Sequence, residues 1–227
     1  MTRVPEVIQP TTAIARSAAR FPVRRIYCVG QNYAAHAREM GSDPDRKPPF
    51  FFSKPADAVV PNGSRLSYPS LTQDFQYEVE LVVALGSGGE RVLVADAAGL
   101  IYGWGVGIDL TRRDMQAEAK QAGRPWDMAK GFDHSAPLAA LTLGVPPQVG
   151  AIQLHVNGQL RQSGDLDEMI WTVPEVIANL STYVRLAPGD LIFTGTPSGV
   201  GAIHPGDRVR GSIDGTEPIE VVFQSAE

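Results

Sequence analysis

The 227-residue chain lacks most of the features that identify a protein quickly. It has one cysteine, Cys28, so an intramolecular disulfide framework is excluded and a reducing compartment suits it. Cys28 lies in the apolar run IYCVG and reads as a small core residue rather than a nucleophile. Positive charge is not in excess. Twenty Lys and Arg against 25 Asp and Glu give a net charge of −5, without the basic footprint of a nucleic-acid binder. No apolar run approaches the ~20 residues that span a bilayer. The N-terminal stretch MTRVPEVIQPTTAIARSAARFPVRR carries arginines but no apolar core of a secretory signal, and a transit peptide stays open. These absences point to a soluble, cytoplasmic protein without nucleic-acid or membrane partners.

Common catalytic signatures are missing too. There is no GxxxxGK[ST] loop to cradle a phosphate, despite GTPSGVG at 195 to 201. GWGVG at 103 to 107 has the wrong spacing for a dinucleotide fingerprint, and suits close backbone packing beside a site. Ser198 in GTPSG is not the nucleophile elbow GxSxG. The four histidines form no HExxH, and one cysteine cannot build a thiolate zinc site.

What the chain does have is 23 glycines and 18 prolines, which argues against a helical bundle and for short strands joined by turns. Strand-like runs recur: IYCVG, FFFSK, YEVELVVAL, IYGWGVGI, IQLHV, QLRQS, DLIFTG, RVRGSI and IEVVF. Asn157-Gly158 and Asp214-Gly215 are two-residue hairpin signals. Three helices are expected. One follows Thr172, with Glu175 completing a capping box and Val176, Ile177, Leu180, Tyr183 and Val184 at helical spacing. The others cover about 114–121 and 34–40. Residues 1–21 read as a polar N-terminal extension, and 22–227 as a single β-rich α+β domain with peripheral short helices.

The run DFQYEVELVV, residues 74–83, poses the functional question. Glu78 and Glu80 are two apart on a strand and share a face, with Tyr77, Val79 and Leu81 on the other. A wet strand face explains them, and so does a metal. The following segment, YGWGVGIDLTRRDMQ, favours the metal, because Asp109 ends an apolar strand just before a polar helix. Three carboxylates brought together repel, and a hard dication such as Mg²⁺, Mn²⁺ or Ca²⁺ offsets that. Beyond Asp109, the residues Arg113, Gln116 and Lys120 share a helix face, with Lys120 read as solvated. Lys130, among apolar residues in WDMAKGF, either snorkels to solvent or faces an anion beside the metal. His36 and Glu39, three apart in NYAAHAREMG, have the spacing at which a carboxylate orients an imidazole and raises its basicity.

With these residues in view, the chain resembles the fumarylacetoacetate hydrolase family, in particular its short single-domain members. The resemblance runs from about Phe21 to Phe223. It rests on the ordered set YCVGQNYAAHAREMG, FFFSKPADAVV, YEVELVVALG, GIDLTRRDMQ, AKGFDHSAPL, LHVNGQLRQSG and DLIFTGTPSGVG. FPVRRIYCVG, GRPWDMAKGFD and DEMIWTVPEVIANLS look most like members that hydrolyse fumarylpyruvate in gentisate catabolism. The resemblance implies a β-roll with a mixed β-sandwich, usually a homodimer. It implies Mg²⁺ or Mn²⁺ on Glu78, Glu80 and Asp109, and a water-activating dyad of His36 and Glu39 on a lid. Lys130 is implied as a catalytic cation, Arg113 and Gln116 as groups that hold the substrate or its oxyanion, and Thr196 and Lys54 as pocket residues. Many relatives carry arginine where this chain has Gln31, which leaves substrate choice open. The implied activity is hydrolysis of the carbon–carbon bond of an acylpyruvate, a small 2-oxo acid. A 2-oxo acid decarboxylase or isomerase on the same site is the alternative, and a non-catalytic metal-binding scaffold is the alternative of another class.

Overall fold

The computed structural model describes residues 4–41 and 47–225. Its frame is an eight-stranded mixed sheet. Seven strands follow the spatial order Phe50–Lys54, Arg25–Gly30, Asp190–Phe193, Val79–Leu85, Ile101–Ile108, Ala136–Leu138 and Val59–Pro61, and Thr142–Leu143 pairs separately with Ile101–Ile108. A five-stranded sheet packs across one face, in the order Gln159–Asp165, Ala151–Val156, Arg208–Ile213, Ile219–Gln224 and Arg65–Ser67. Both signals fall in antiparallel hairpins, Asn157-Gly158 as a two-residue turn and Asp214-Gly215 within a longer connection over residues 214–218. Asn157 and Gly158 take φ of 51° and 80°, the twist a two-residue turn needs, and Gly215 takes 84°. The helix after Thr172 runs Val173–Tyr183. Its Glu175 carboxylate accepts from the Thr172 amide at 3.0 Å and from its hydroxyl at 2.8 Å, satisfying an otherwise orphaned donor. The other two expected helices are Arg113–Gln121 and Ala34–Glu39.

The strand Val79–Leu85 is buried throughout, so it lies between two apolar layers rather than at a surface. Val79, Leu81, Val83 and Leu85 enter the core shared with the five-stranded sheet. Val82 and Ala84 face the opposite way into a second core with Cys28, Leu191 and Phe193. Glu80 continues that second face. Cys28 is fully buried there.

Two expectations change. The run from Tyr77 to Leu85 is not one strand: Phe75–Tyr77 belongs to a small three-stranded sheet, Val79–Leu85 to the large one, and the chain breaks pairing at Glu78. Periodicity continues through the break, which is why the sequence conceals it. Residues 1–21 are also more than a polar extension. Thr11–Ala13 pairs with Arg20–Pro22, and Ile14 and Phe21 are buried in the second core. This hairpin covers apolar surface that the large sheet would otherwise expose.

A candidate metal centre

Glu78, Glu80 and Asp109 converge. One carboxylate oxygen from each lies within 4.8 Å of the others, and all three residues are buried. The antiparallel register pairs Val79 with Ile108 and Glu80 with Gly107. Continued by one residue, it sets Glu78 against Asp109, and the Asp109 amide donates to the Glu78 carbonyl at 2.8 Å. Glycine is required opposite Glu80, since a Cβ at Gly107 would lie 2.7 Å from the Phe193 ring and from Val82. The acids therefore stand where the second apolar core ends, held by the ladder itself.

Cations answer two of the three acids. Lys130 is 2% exposed, and its Nζ donates to Glu78 Oε2 at 2.9 Å, Asp109 Oδ2 at 2.7 Å and Thr111 Oγ1 at 2.6 Å. It faces anions and does not snorkel. Arg113 pairs with Glu78 through Nη2, and its Nη1 donates to Gln116 Oε1 at 2.6 Å. Burial by itself would raise the Glu78 pKa, but Lys130 and then Arg113 outweigh it and hold the carboxyl well below the usual range. Burial likewise disfavours the Lys130 ammonium, and Asp109 and Glu78 more than restore it.

Glu80 is different. Among the described residues it forms no ion pair and accepts from the Gly195 amide at 2.8 Å. Burial, reinforced by the charges of Asp109 and Glu78, pushes its pKa well above the carboxylate range. Asp109 Oδ1 lies 2.9 Å from Lys54 Nζ but outside hydrogen-bond geometry, so this buried oxygen has no hydrogen-bond donor. An unneutralised carboxylate beside an oxygen without a donor, in an all-oxygen set, fits a hard dication.

A cavity of about 50 Å³ opens beside the acids, lined among others by His36, Glu78, Glu80, Arg113, Gln116, Lys130 and Thr196. His36 is buried, and its Nδ1 lies 3.2 Å from Glu39 Oε2. Both oxygens of Glu39 also accept from the Gly199 amide, at 3.1 and 3.2 Å. The helix bearing the pair is thereby docked on the turn that carries Thr196. Gln31 lines the cavity, with φ of 58°.

Two expected positions are corrected. Lys54 does not line the cavity. It lies fully buried behind Asp109, where its Nζ bonds the carbonyls of Leu110 at 3.0 Å and of Lys130. Strand pairing of Lys54 with Ile26 turns it inward, and a buried ammonium needs such acceptors. Lys120 is exposed but reaches the cavity rim, so it is not merely a solvated face.

Two buried amides went unread in the sequence. Asn32 donates to the carbonyls of Trp171 at 2.9 Å and Thr194 at 2.8 Å, and accepts from the Trp171 amide at 2.8 Å. Gln162 bonds the Val79 amide, the Thr196 hydroxyl and the Pro197 carbonyl. The register set by the Asn157-Gly158 turn would put Gln162 opposite Gln153; a shift between Leu154 and His155 puts it opposite Leu154 on the buried face instead, which the sequence does not signal.

Comparison with known proteins agrees with this architecture. The model for the fumarylacetoacetate (FAA) hydrolase C-terminal domain matches residues 25–223. A fumarylpyruvate hydrolase from a Ralstonia species is 45% identical over 180 residues, covering 78% of this chain and 94% of the relative. A mitochondrial oxaloacetate tautomerase of Rattus norvegicus is 42% identical over 195 residues, covering 85% and 88%. A crystal structure of fumarylpyruvate hydrolase from Pseudomonas aeruginosa, in complex with Mn²⁺ and pyruvate, superposes with a TM-score of 0.96 at 48% identity, covering 100% of both chains. The chain belongs to the fumarylacetoacetate hydrolase family.

Proposed function

We propose that this member of the family is a divalent-metal-dependent hydrolase that cleaves the carbon–carbon bond of an acylpyruvate, with fumarylpyruvate giving fumarate and pyruvate. The observation that carries the reading is the convergence of Glu78, Glu80 and Asp109 on a cavity that His36 also lines. The full-length likeness to a fumarylpyruvate hydrolase holding Mn²⁺ and pyruvate supports the same substrate.

Mg²⁺ or Mn²⁺ would be held by Glu78, Glu80 and Asp109, and when bound it supplies Lewis-acid stabilisation of the negative charge that develops on the leaving pyruvate, worth several kcal/mol. The chain's own groups do the rest. His36, oriented through Nδ1 by Glu39, takes a proton from the attacking water at its other ring nitrogen. Hydroxide adds to the acyl carbonyl carbon. The bond to the methylene carbon then breaks, its electron pair leaves with the pyruvate enolate, and a proton returned to that carbon completes the products. A positioned base of this kind contributes ~10²–10⁴-fold. Arg113, Gln116 and Lys130 present donors to the carboxylate and to the oxyanion, at ~10²–10³-fold for an important donor. Thr196 adds a hydroxyl from the opposite wall.

The Ala34–Glu39 helix, whose His36 lines the cavity alongside Met40, is the segment that would open and close over the substrate as a lid. A homodimer in the cytoplasm completes the reading, supported by the resemblance and by the single, buried cysteine; light scattering of the purified protein tests the assembly.

The deciding experiment is a panel of 2-oxo acids with Mn²⁺ or Mg²⁺, following pyruvate formation and loss of the enol absorbance. Hydrolysis of fumarylpyruvate well above oxaloacetate turnover is expected. Enol–keto conversion of oxaloacetate without hydrolysis of any acylpyruvate would instead favour the isomerase reading, which the 42% identity to an oxaloacetate tautomerase supports.

A further inference from the structure

Gln162 is completely buried on the strand Gln159–Asp165, in the sheet opposite the acids. Its Oε1 accepts from the Val79 amide at 3.0 Å, and its Nε2 donates to Thr196 Oγ1 and to the Pro197 carbonyl, each at 2.8 Å. The orientation of this amide is not arbitrary. A backbone N–H can only donate and a proline carbonyl can only accept, so the two backbone partners settle which end is oxygen and which is nitrogen. Val79 has a reason to demand the oxygen. The neighbouring strand pairs no further than Phe193 with Val82 and Thr194 with the Leu81 carbonyl, after which that chain turns away. The fully buried Val79 amide would otherwise be an orphan donor.

This has a consequence at Thr196. Its oxygen already accepts a hydrogen bond from Gln162 Nε2, so its own proton must point elsewhere. Thr196 lines the cavity and is 2% exposed, and no described protein group accepts from its hydroxyl. We propose that Gln162 is a positioning residue that turns the Thr196 hydroxyl into a hydrogen-bond donor aimed at the substrate's carboxylate or 2-oxo oxygen. The proposal rests on the acylpyruvate reading above for the identity of that oxygen. It assigns Gln162, which touches neither substrate nor metal, a role in recognition through the polarity of one hydroxyl.

The test is a mutant cycle with pyruvate as the probe. Gln162→Glu keeps an acceptor for Val79 but presents an acceptor to Thr196, drawing the hydroxyl proton out of the cavity. Calorimetry of pyruvate binding to the Mn²⁺-loaded protein is expected to show about tenfold weaker binding for Gln162→Glu and for Thr196→Val, the loss typical of one hydrogen bond to a charged group. Thr196→Ser should stay within about twofold of wild type. The double variant should bind no more weakly than Thr196→Val alone. Mn²⁺ affinity, read by electron paramagnetic resonance without pyruvate, should not fall. For fumarylpyruvate the KM should rise about tenfold with kcat within about threefold. Losses that multiply in the double variant, or pyruvate binding untouched by Gln162→Glu, would overturn the proposal, as would reduced Mn²⁺ affinity. If Gln162→Glu does not fold, Gln162→Met in the same cycle carries the same two outcomes. Binding separates this idea from the functional reading. A wild type that binds pyruvate but hydrolyses no acylpyruvate refutes the reading and leaves the cycle decisive; a hydrolase with additive variants refutes the inference alone.

Discussion

The two sides of the cavity are built in opposite ways. Glu78, Glu80 and Asp109 sit on or beside two long, adjacent strands whose ladder fixes their separation, with apolar layers on both faces. His36 and Glu39 sit on a six-residue helix whose N-cap, Tyr33, makes no side-chain cap. A helix that short is marginal without tertiary support, and Glu39 with the Gly199 amide supplies part of it. The acid wall must hold repelling charges at ion-binding separation, which needs a rigid scaffold. On the proposed reading the base would admit a substrate and then close on it, which a loosely held scaffold allows. The difference between the walls is a division of labour between holding charge and moving a proton.

Glu80→Gln attacks the rigid wall at its least compensated member, and the largest effect is expected there. Metal-dependent turnover should fall by three orders of magnitude or more, since the Lewis-acid contribution of several kcal/mol is lost at ~1.4 kcal/mol per decade. The fold should survive, because the glutamine cannot ionise in a site that already resists ionisation. Activity at limiting Mg²⁺, with circular dichroism of the same sample, checks both halves. Wild-type turnover in this variant would remove the metal assignment.

His36→Ala strikes the helical wall. A loss in kcat of ~10²–10⁴-fold is expected, with Mn²⁺ affinity nearly unchanged. Loss of Mn²⁺ binding would make the imidazole a ligand and erase the contrast between the walls. Glu39→Gln should cost less in kcat, ~10–100-fold, as for other groups that orient a functional histidine.

Metal itself sharpens the comparison on the stability side. At one hundred times its dissociation constant, Mn²⁺ should stabilise the fold by ~2.7 kcal/mol, raising Tm by roughly 5–10 °C at ~2–4 °C per kcal/mol. Differential scanning calorimetry with and without EDTA measures this. The rise should shrink in Glu80→Gln and persist in His36→Ala.

The smallest effect is expected outside both walls. Asp114, in the first turn of the Arg113–Gln121 helix, accepts from the Thr72 hydroxyl, the Gln73 amide and the Met115 amide. Partial burial would raise its pKa, but the Thr72 hydroxyl and the backbone amides lower it overall. Because the folded pKa is the lower one, the stabilisation is present above the unfolded carboxylate value and is lost as pH falls through the folded one. Asp114→Asn should cost under ~1 kcal/mol at neutral pH, given the group's exposure, and the cost should vanish in acid. Urea titrations at pH 7 and pH 3 test the sign.

How much of this was legible varies residue by residue. The shared face of Glu78 and Glu80 follows from strand periodicity, and the helix of Arg113 and Gln116 from spacing. The break at Glu78 was invisible, because changing sheets leaves the alternation intact. Lys54 was misplaced for a related reason: a lysine after three phenylalanines gives no hint whether it reaches a cavity or buttresses an acid from behind. The hairpin over Ile14 and Phe21 was missed because apolar residues are sparse there, and their burial depends on what the large sheet leaves uncovered.

By itself the sequence determined the alternation, the turns, the helix spacings and the oxygen-rich donor set, because these depend on neighbours a few residues apart. Only tertiary structure decided that Glu78 lies against Asp109, that Glu80 alone of the three acids has no cation partner among the described residues, and that Gln162 reaches Thr196 from the opposite sheet. Those relations join positions 31 to 115 residues apart, and strand register and layer packing set them, which no local pattern encodes.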